Sequence, residues 1–322
     1  MSQEPPQSTI KFHKSVPEQI ALLKSRGMTI DDEAGAAATL NRIGYYRLSG
    51  YFYPLRKTQP YGTPGRKDDF QEGTTLALIS QLYEFDRQLR LHILDGVERI
   101  EVAMRSDIAH RLGQRHRLAH QVEAQLDGKF CTDQDFKGKT AFEKWCERLD
   151  EVLKRASKED FVKHHHMEYG GRMPIWVVTE VWDFGLLSKF FAGMRYKDRD
   201  YIAQRYKLPA PKYLESWLRA LNFARNVSAH HSRLWNRNFA DRPTFAPAQP
   251  HHRLAHLVGN EHAQTRVYGT LCVIETMQSV ISPGNAWSNR LIELCATFPQ
   301  SPLLSLESAG FPPNWTNNPL WR

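Results

Sequence analysis

Residues 74–112 read TTLALISQLYEFDRQLRLHILDGVERIEVAMRSDIAHRL. Leu78, Leu82, Phe85, Leu89, Ile93, Val97, Ile100, Met104 and Ile108 recur every three or four positions, the spacing that puts side chains on one face of a 3.6-residue helix. The pattern predicts a single long amphipathic helix, with Gly96 as a point where it can bend. Glu84, Asp86, Arg87, Arg90, Glu98, Arg99, Glu101 and Arg105 fall on its other faces, and charges so placed ordinarily meet water. Glu101 and Arg105 stand in the favourable i,i+4 order. Sustained period-two alternation is scarce in the rest of the chain, so the fold class predicted is all-α.

Upstream, a polar start (1–14) is expected to be flexible. Ser15 to Glu18 has the S-x-x-E form of a capping box and opens a helix that stops at Gly27; Asp31 and Asp32 can cap a second helix ending near Gly44. The following GYYRLSGYFYPLRK packs five tyrosine or phenylalanine rings into fourteen residues, for which core packing and base stacking are both open roles. Residues 57–73, rich in glycine, proline and charge, read as a loop that closes an N-terminal segment (15–72). Downstream, helical patterns at 141–155, 158–168, 175–194, 198–206, 211–233, 264–281 and 286–298 complete a helical domain over 73–298. Pro302, Pro312, Pro313 and Pro319 bar a long helix from the remainder, predicting an extended, irregular tail over 299–322.

Lys and Arg outnumber Asp and Glu by 43 to 35 in 322 residues, a net charge of +8, which favours a polyanionic partner through phosphate contacts. Cys131, Cys146, Cys272 and Cys295 lie far apart without C-x-x-C spacing, unlike a zinc ribbon or a disulfide scaffold. No apolar run approaches the roughly 18 residues of a membrane span, and the amino terminus lacks an apolar core typical of a signal peptide. A cytoplasmic protein, with no membrane association and no cofactor, is expected.

The densest chemistry lies in NFARNVSAHHSRLWNR, residues 222–237. Five arginines are followed five positions later by histidine, where composition alone gives about one, so spacing does not single out Arg225 and His230. Helix geometry does: Asn222, Asn226, His230 and Arg233 form one polar stripe, while Leu214, Trp217, Leu218, Leu221 and Ala224 occupy another side. Asn226 then sits one turn below His230 and can orient its ring. RNA carries its own nucleophile, the 2′-hydroxyl, and needs only a proton carrier and a cation for the crowded phosphorane. His230 suits the first and Arg225 the second. His231, Arg233, Trp235 and Arg237 are candidates for holding RNA phosphates and stacking a base, although Trp235 also suits a core.

Arg225 and His230 are about 140° apart on an ideal helix, so a site shared across a two-fold axis is more natural, predicting a homodimer. No metal is expected: His164, His165 and His166 are adjacent, His252 and His256 have i,i+4 spacing without an acidic motif, and no H-E-x-x-H appears. Rival readings are a catalytically silent RNA-binding protein and a helical protein-interaction module.

The chain resembles the Abi-like (AbiD/AbiF) abortive-infection family of bacteria, whose members are similar to HEPN-domain ribonucleases. The resemblance rests on LLKSRGMTIDDEAGAAATLNRIGYYRLSGYFYPLR, YEFDRQLR, ERIE, MPIWVVTEVWDFGLLSKFF, SWLRALNFARNVSAHHSRLWNR and GFPPNWTNNPLW. It implies a HEPN-like helical bundle, dimerisation, metal-independent RNA cleavage, a toxin role in antiviral defence, and a structured non-coding RNA as antitoxin. Arg225, Asn226 and His230 match the HEPN signature, with His231 also in range. Toxins paired with a minimal nucleotidyltransferase carry a tyrosine two positions after the histidine; Ser232 stands here. A second pair, Arg105 and His110, lies on the long helix, where chance spacing accounts for it.

Overall fold

The computed structural model of the chain describes residues 11–247 and 252–322. Most of the N-terminal segment expected to be flexible (residues 1–10) lies outside the described residues, as does the side chain of His252. Among the described residues there are fourteen α-helices and a single two-stranded sheet, the all-α class that the spacing of residues 74–112 predicts. The chain divides into two compact units, one running to Gln88 and taking in Ala296–Ser305, the other comprising Leu89–Cys295 with Leu306–Arg322.

In the first unit, α1 (Val16–Ser25) opens at the predicted box, where the Glu18 carboxylate accepts from the Ser15 backbone N–H at 2.6 Å and from its hydroxyl at 2.7 Å. Asp32 caps α2 (Glu33–Ile43) by accepting from the Gly35 N–H at 2.9 Å. Gly44, at φ 88°, ends that helix in a backbone region glycine enters without a Cβ clash, and α3 (Tyr45–Phe52) follows. Tyr51 and Phe52 are buried, Tyr51 donating to the Asp86 carboxylate at 2.7 Å, whereas Tyr46 stands in solvent. Residues 57–73 are not simply a loop. β1 (Arg56–Thr58) pairs antiparallel with β2 (Arg66–Phe70), Arg56 opposite Phe70 and Thr58 opposite Arg66 across a bulge. The strand RKDDF does not alternate apolar and polar residues, so periodicity gives no sign of it. Asp68 ties the hairpin by ion pairs at 2.9 Å to both Arg56 and Arg26.

The predicted long helix is α4 (Leu76–Gly113), 38 residues that serve the first unit up to Gln88 and the second from Leu89. It runs unbroken through Gly96. That glycine answers to packing: a Cβ there would sit 2.6 Å from Cγ2 of Ile274 and 2.7 Å from Nε1 of Trp287. Gln278 donates to the Gly96 carbonyl at 2.8 Å and Trp287 to that of His92 at 3.1 Å, so the close approach is sealed by polar contacts as well.

The second unit continues through α5 (Gly128–Thr132), α6 (Ala141–Arg155), α7 (Asp160–Tyr169), α8 (Ile175–Val178), α9 (Phe184–Ala192), α10 (Tyr196–Arg205), α11 (Pro211–Ala229), α12 (Glu261–Gln264), α13 (Val267–Ile281) and α14 (Trp287–Ala296). The one helix predicted over 175–194 is broken between Thr179 and Asp183. Asp183 accepts from the Leu186 N–H at 2.8 Å, a local bond that starts α9 afresh instead of extending the preceding turn. α11 packs against α9, α10 and α13, and Leu214, Trp217, Leu218, Leu221 and Ala224 are buried as their spacing predicts.

The segment expected to trail as an extended tail is irregular but packed. Leu306–Ala309, Trp315–Asn317 and Pro319–Trp321 form 3-10 turns, and Phe311, Trp315, Leu320 and Trp321 are buried. Arg253 donates to the carbonyls of Pro319 and Leu320 at 3.1 and 2.8 Å. The prolines do bar a helix; the aromatic anchors, with Phe311 4.9 Å from the Tyr268 ring, keep the backbone off the solvent path. No helix among the described residues is long and apolar enough to cross a membrane.

Candidate functional site

α11 stops four residues short of its sequence pattern. Its last residue is Ala229; His230 is the C-cap, and His231 takes a left-handed conformation at φ 56°. The His231 N–H donates to the Ser228 carbonyl at 3.0 Å and the Ser232 N–H to that of Val227 at 2.9 Å, the paired bonds of a Schellman ending. Glycine usually fills that position, and an L-residue there costs about 1–2 kcal/mol. Arg233 is therefore off the helix, and the predicted stripe shortens to Asn222, Asn226 and His230.

Asn222, Arg225 and Asn226, spaced i, i+3 and i+4 on α11, line a cavity of about 1180 Å³ within the second unit. The Arg225 guanidinium donates through Nη1 to Oδ1 of Asn226 at 3.4 Å. Other walls carry Lys129 from α5, Lys144 and Arg148 from α6, Lys189 from α9 and Arg199 from α10, so six basic side chains face two acidic ones, Asp127 and Asp183. Three of the six are already held by carboxylates. Lys144 pairs with Asp135, Arg148 with Asp183 at 3.0 Å, and Arg199 with Glu215 at 2.5 Å and Asp127 at 3.6 Å. Lys129, Lys189 and Arg225 have no ion-pair partner among the described residues. Glu101 on α4 feels the positive charge of both Arg105 and Arg225, yet burial outweighs them and pushes its carboxyl above the usual range.

The other predicted residues separate from this cavity. His230, one turn beyond Asn226, and His231 are exposed, and neither lines it. Arg233 is half-buried and donates to the Asn236 carbonyl at 3.4 Å. Arg237, also half-buried, places its guanidinium 5.9 Å from the Phe223 ring. Trp235 is a correction: at 1% exposure it belongs to the core, and an RNA base cannot stack on it. Arg105 is engaged by Glu101 and by the Trp182 carbonyl, both at 2.5 Å, while His110 lies exposed on a separate cavity of about 440 Å³. His165 Nδ1 sits 2.8 Å from the Phe161 carbonyl, and among the described residues no three His, Cys, Asp or Glu side chains converge as metal ligands do.

Lys129, Lys144, Arg148, Tyr196 and Arg199 are missed by sequence reasoning because they come from separate helices with no common spacing. Lys189 and Gly185 had a signal, since both lie in the segment MPIWVVTEVWDFGLLSKFF.

An all-α protein whose second unit holds a large basic cavity against one face of α11 is the class that fold and site define. The family model described as "Abi-like protein" matches residues 38–236, a span that takes in α4 up to the end of the cavity lining. The chain belongs to the Abi-like family. No curated protein and no solved structure matches it.

Proposed function

We propose that this Abi-like protein acts in abortive-infection defence as a metal-independent endoribonuclease of the HEPN type, toxic when released in the cytoplasm. The observation that carries this reading is the cavity in which Lys129, Lys189 and Arg225 lack carboxylate partners while their neighbours are neutralised. Cations left unpaired together in a concave site suit a polyanion.

In the reaction, an RNA 2′-hydroxyl attacks the adjacent phosphorus as the bond to the 5′-oxygen breaks, giving a 2′,3′-cyclic phosphate and a 5′-hydroxyl. Arg225 holds the phosphate and stabilises its developing charge. Its contact with Asn226 restrains the fork. His230 carries the proton. Because His230 does not line the cavity beside Arg225, the reading needs two copies of the chain, paired so that both residues meet at one linkage. The HEPN-like domain is assigned to residues 73–298, and a structured non-coding RNA antitoxin is the restraint.

Labelled single-stranded RNA incubated with the protein in excess EDTA tests this. Cleavage by the wild type, lost in Arg225→Ala and His230→Ala, is the expected result; cleavage that persists in both variants sinks it. The position of His230 outside the cavity lining favours one second reading, a silent RNA binder, for which RNA stays intact while binding weakens steeply with salt.

A further inference from the structure

Four aromatic residues line the cavity: Phe130, Trp145, Phe184 and Tyr196. Three of them are committed to the protein. Trp145 is buried, donates its indole N–H to the Leu186 carbonyl at 3.0 Å and packs on Trp182 and Phe190; Phe184 is 1% exposed. Phe130 is half-buried against Phe142 and against Gly193, where a Cβ would lie 2.5 Å from its ring. Tyr196 differs. The residue, at the first position of α10, is 60% exposed, and its side chain has no ring, ion or hydrogen-bond partner among the described residues.

What sets Tyr196 apart from other exposed rings is its place on the wall of a cavity whose Lys129, Lys189 and Arg225 have no carboxylate partner among the described residues, since single-stranded nucleic acid offers bases that stack together with flanking phosphates. We infer that Tyr196 is the stacking platform of this site: the ring receives an unpaired base of single-stranded RNA while Lys129, Lys189 and Arg225 take the neighbouring phosphates. The inference rests on the nuclease reading for the identity of the polymer as RNA. It replaces the stacking role that Trp235 cannot fill and names the substrate class. In a duplex, bases already stack on one another and offer no free face, so double-stranded RNA gains nothing from Tyr196.

The test uses the full-length protein and a fluorescent single-stranded RNA made uncleavable by 2′-O-methyl groups, with anisotropy read in EDTA across salt concentrations. Tyr196→Ala is expected to weaken binding roughly tenfold without changing the salt dependence, and Tyr196→Phe and Tyr196→Trp to bind like wild type. Lys189→Ala should lower the slope of log affinity against log salt by about 0.7, the share of one phosphate contact on a single strand. A fully paired, blunt-ended RNA duplex should bind equally to wild type and Tyr196→Ala. Wild-type affinity in Tyr196→Ala, loss of affinity in Tyr196→Phe, or no binding by the wild type overturns the assignment. Uncleavable RNA separates the two readings: a Tyr196 effect on binding with no cleavage of ordinary RNA sinks the nuclease alone, and cleavage with no Tyr196 effect sinks the platform alone.

Discussion

Arg225 reaches Asn226 through a hydrogen bond of 3.4 Å between guanidinium Nη1 and amide Oδ1, joining consecutive residues that both face the same cavity. The contact occupies one nitrogen of the fork and leaves the rest of it for an incoming phosphate. Lysine keeps the charge but not the planar, two-point donor geometry. Arg225→Lys is therefore predicted to retain most of the RNA affinity and to lose about 10²-fold or more in single-turnover cleavage, the scale of removing one transition-state donor. Equal losses in affinity and rate would point to simple ground-state binding.

His231 is the residue that turns the chain at the end of α11, at φ 56°. Replacing it by glycine removes the Cβ clash, at some expense in unfolded-state entropy, and should raise stability by about 0.5–1 kcal/mol in urea denaturation. Because the proton carrier assigned here is His230, His231→Gly is expected to keep cleavage. Loss of activity in a folded His231→Gly protein would transfer the role to His231.

Glu275 on α13 is buried, its Oε2 has no hydrogen-bond partner among the described residues, and burial pushes its carboxyl up to about 7 against the opposing charge of Arg253. A native pKa raised above the unfolded value gives stability that is complete below about 4.5 and is lost as pH rises through 7. Glu275→Gln should match wild type at pH 4 and exceed it by about 2–4 kcal/mol at pH 8.5 in urea melts. A difference that does not grow with pH would mean the carboxylate finds a partner when ionised.

Two helical glycines give opposite predictions. Gly96→Ala drives a methyl into Ile274 and Trp287, whereas a methyl at Gly50 in α3 meets nothing within 4 Å. Thermal denaturation should record a loss of about 1–3 kcal/mol for Gly96→Ala and a gain of about 0.5–1 kcal/mol for Gly50→Ala. A neutral Gly96→Ala would contradict the close approach of α4, α13 and α14.

Where local spacing carries the information, the fold is legible in the sequence. The apolar rows of α4 and α11 and the caps at Ser15 and Asp32 depend on residues within a turn or two of one another, and they can be read directly. The break before Asp183 and the early stop of α11 depend on single side-chain or backbone bonds that periodicity does not register. The hairpin at Arg56–Phe70 is held by Asp68 reaching Arg26, 42 positions away along the chain. The site divides the same way: Arg225 and Asn226 stand out as candidates within one helix, but that they share a cavity wall, and that the cations facing them come from four other helices, is not written in local spacing. Trp235 and Tyr196 are both aromatic residues near arginines in sequence, and only burial tells the core ring from the open one.

Mass spectrometry of the RNA 3′ ends formed in excess EDTA tests the central claim most directly. The account predicts 2′,3′-cyclic phosphates from the wild type, absent with Arg225→Ala and with His230→Ala. RNA left intact by the wild type, or ends bearing a 3′-hydroxyl, would contradict it.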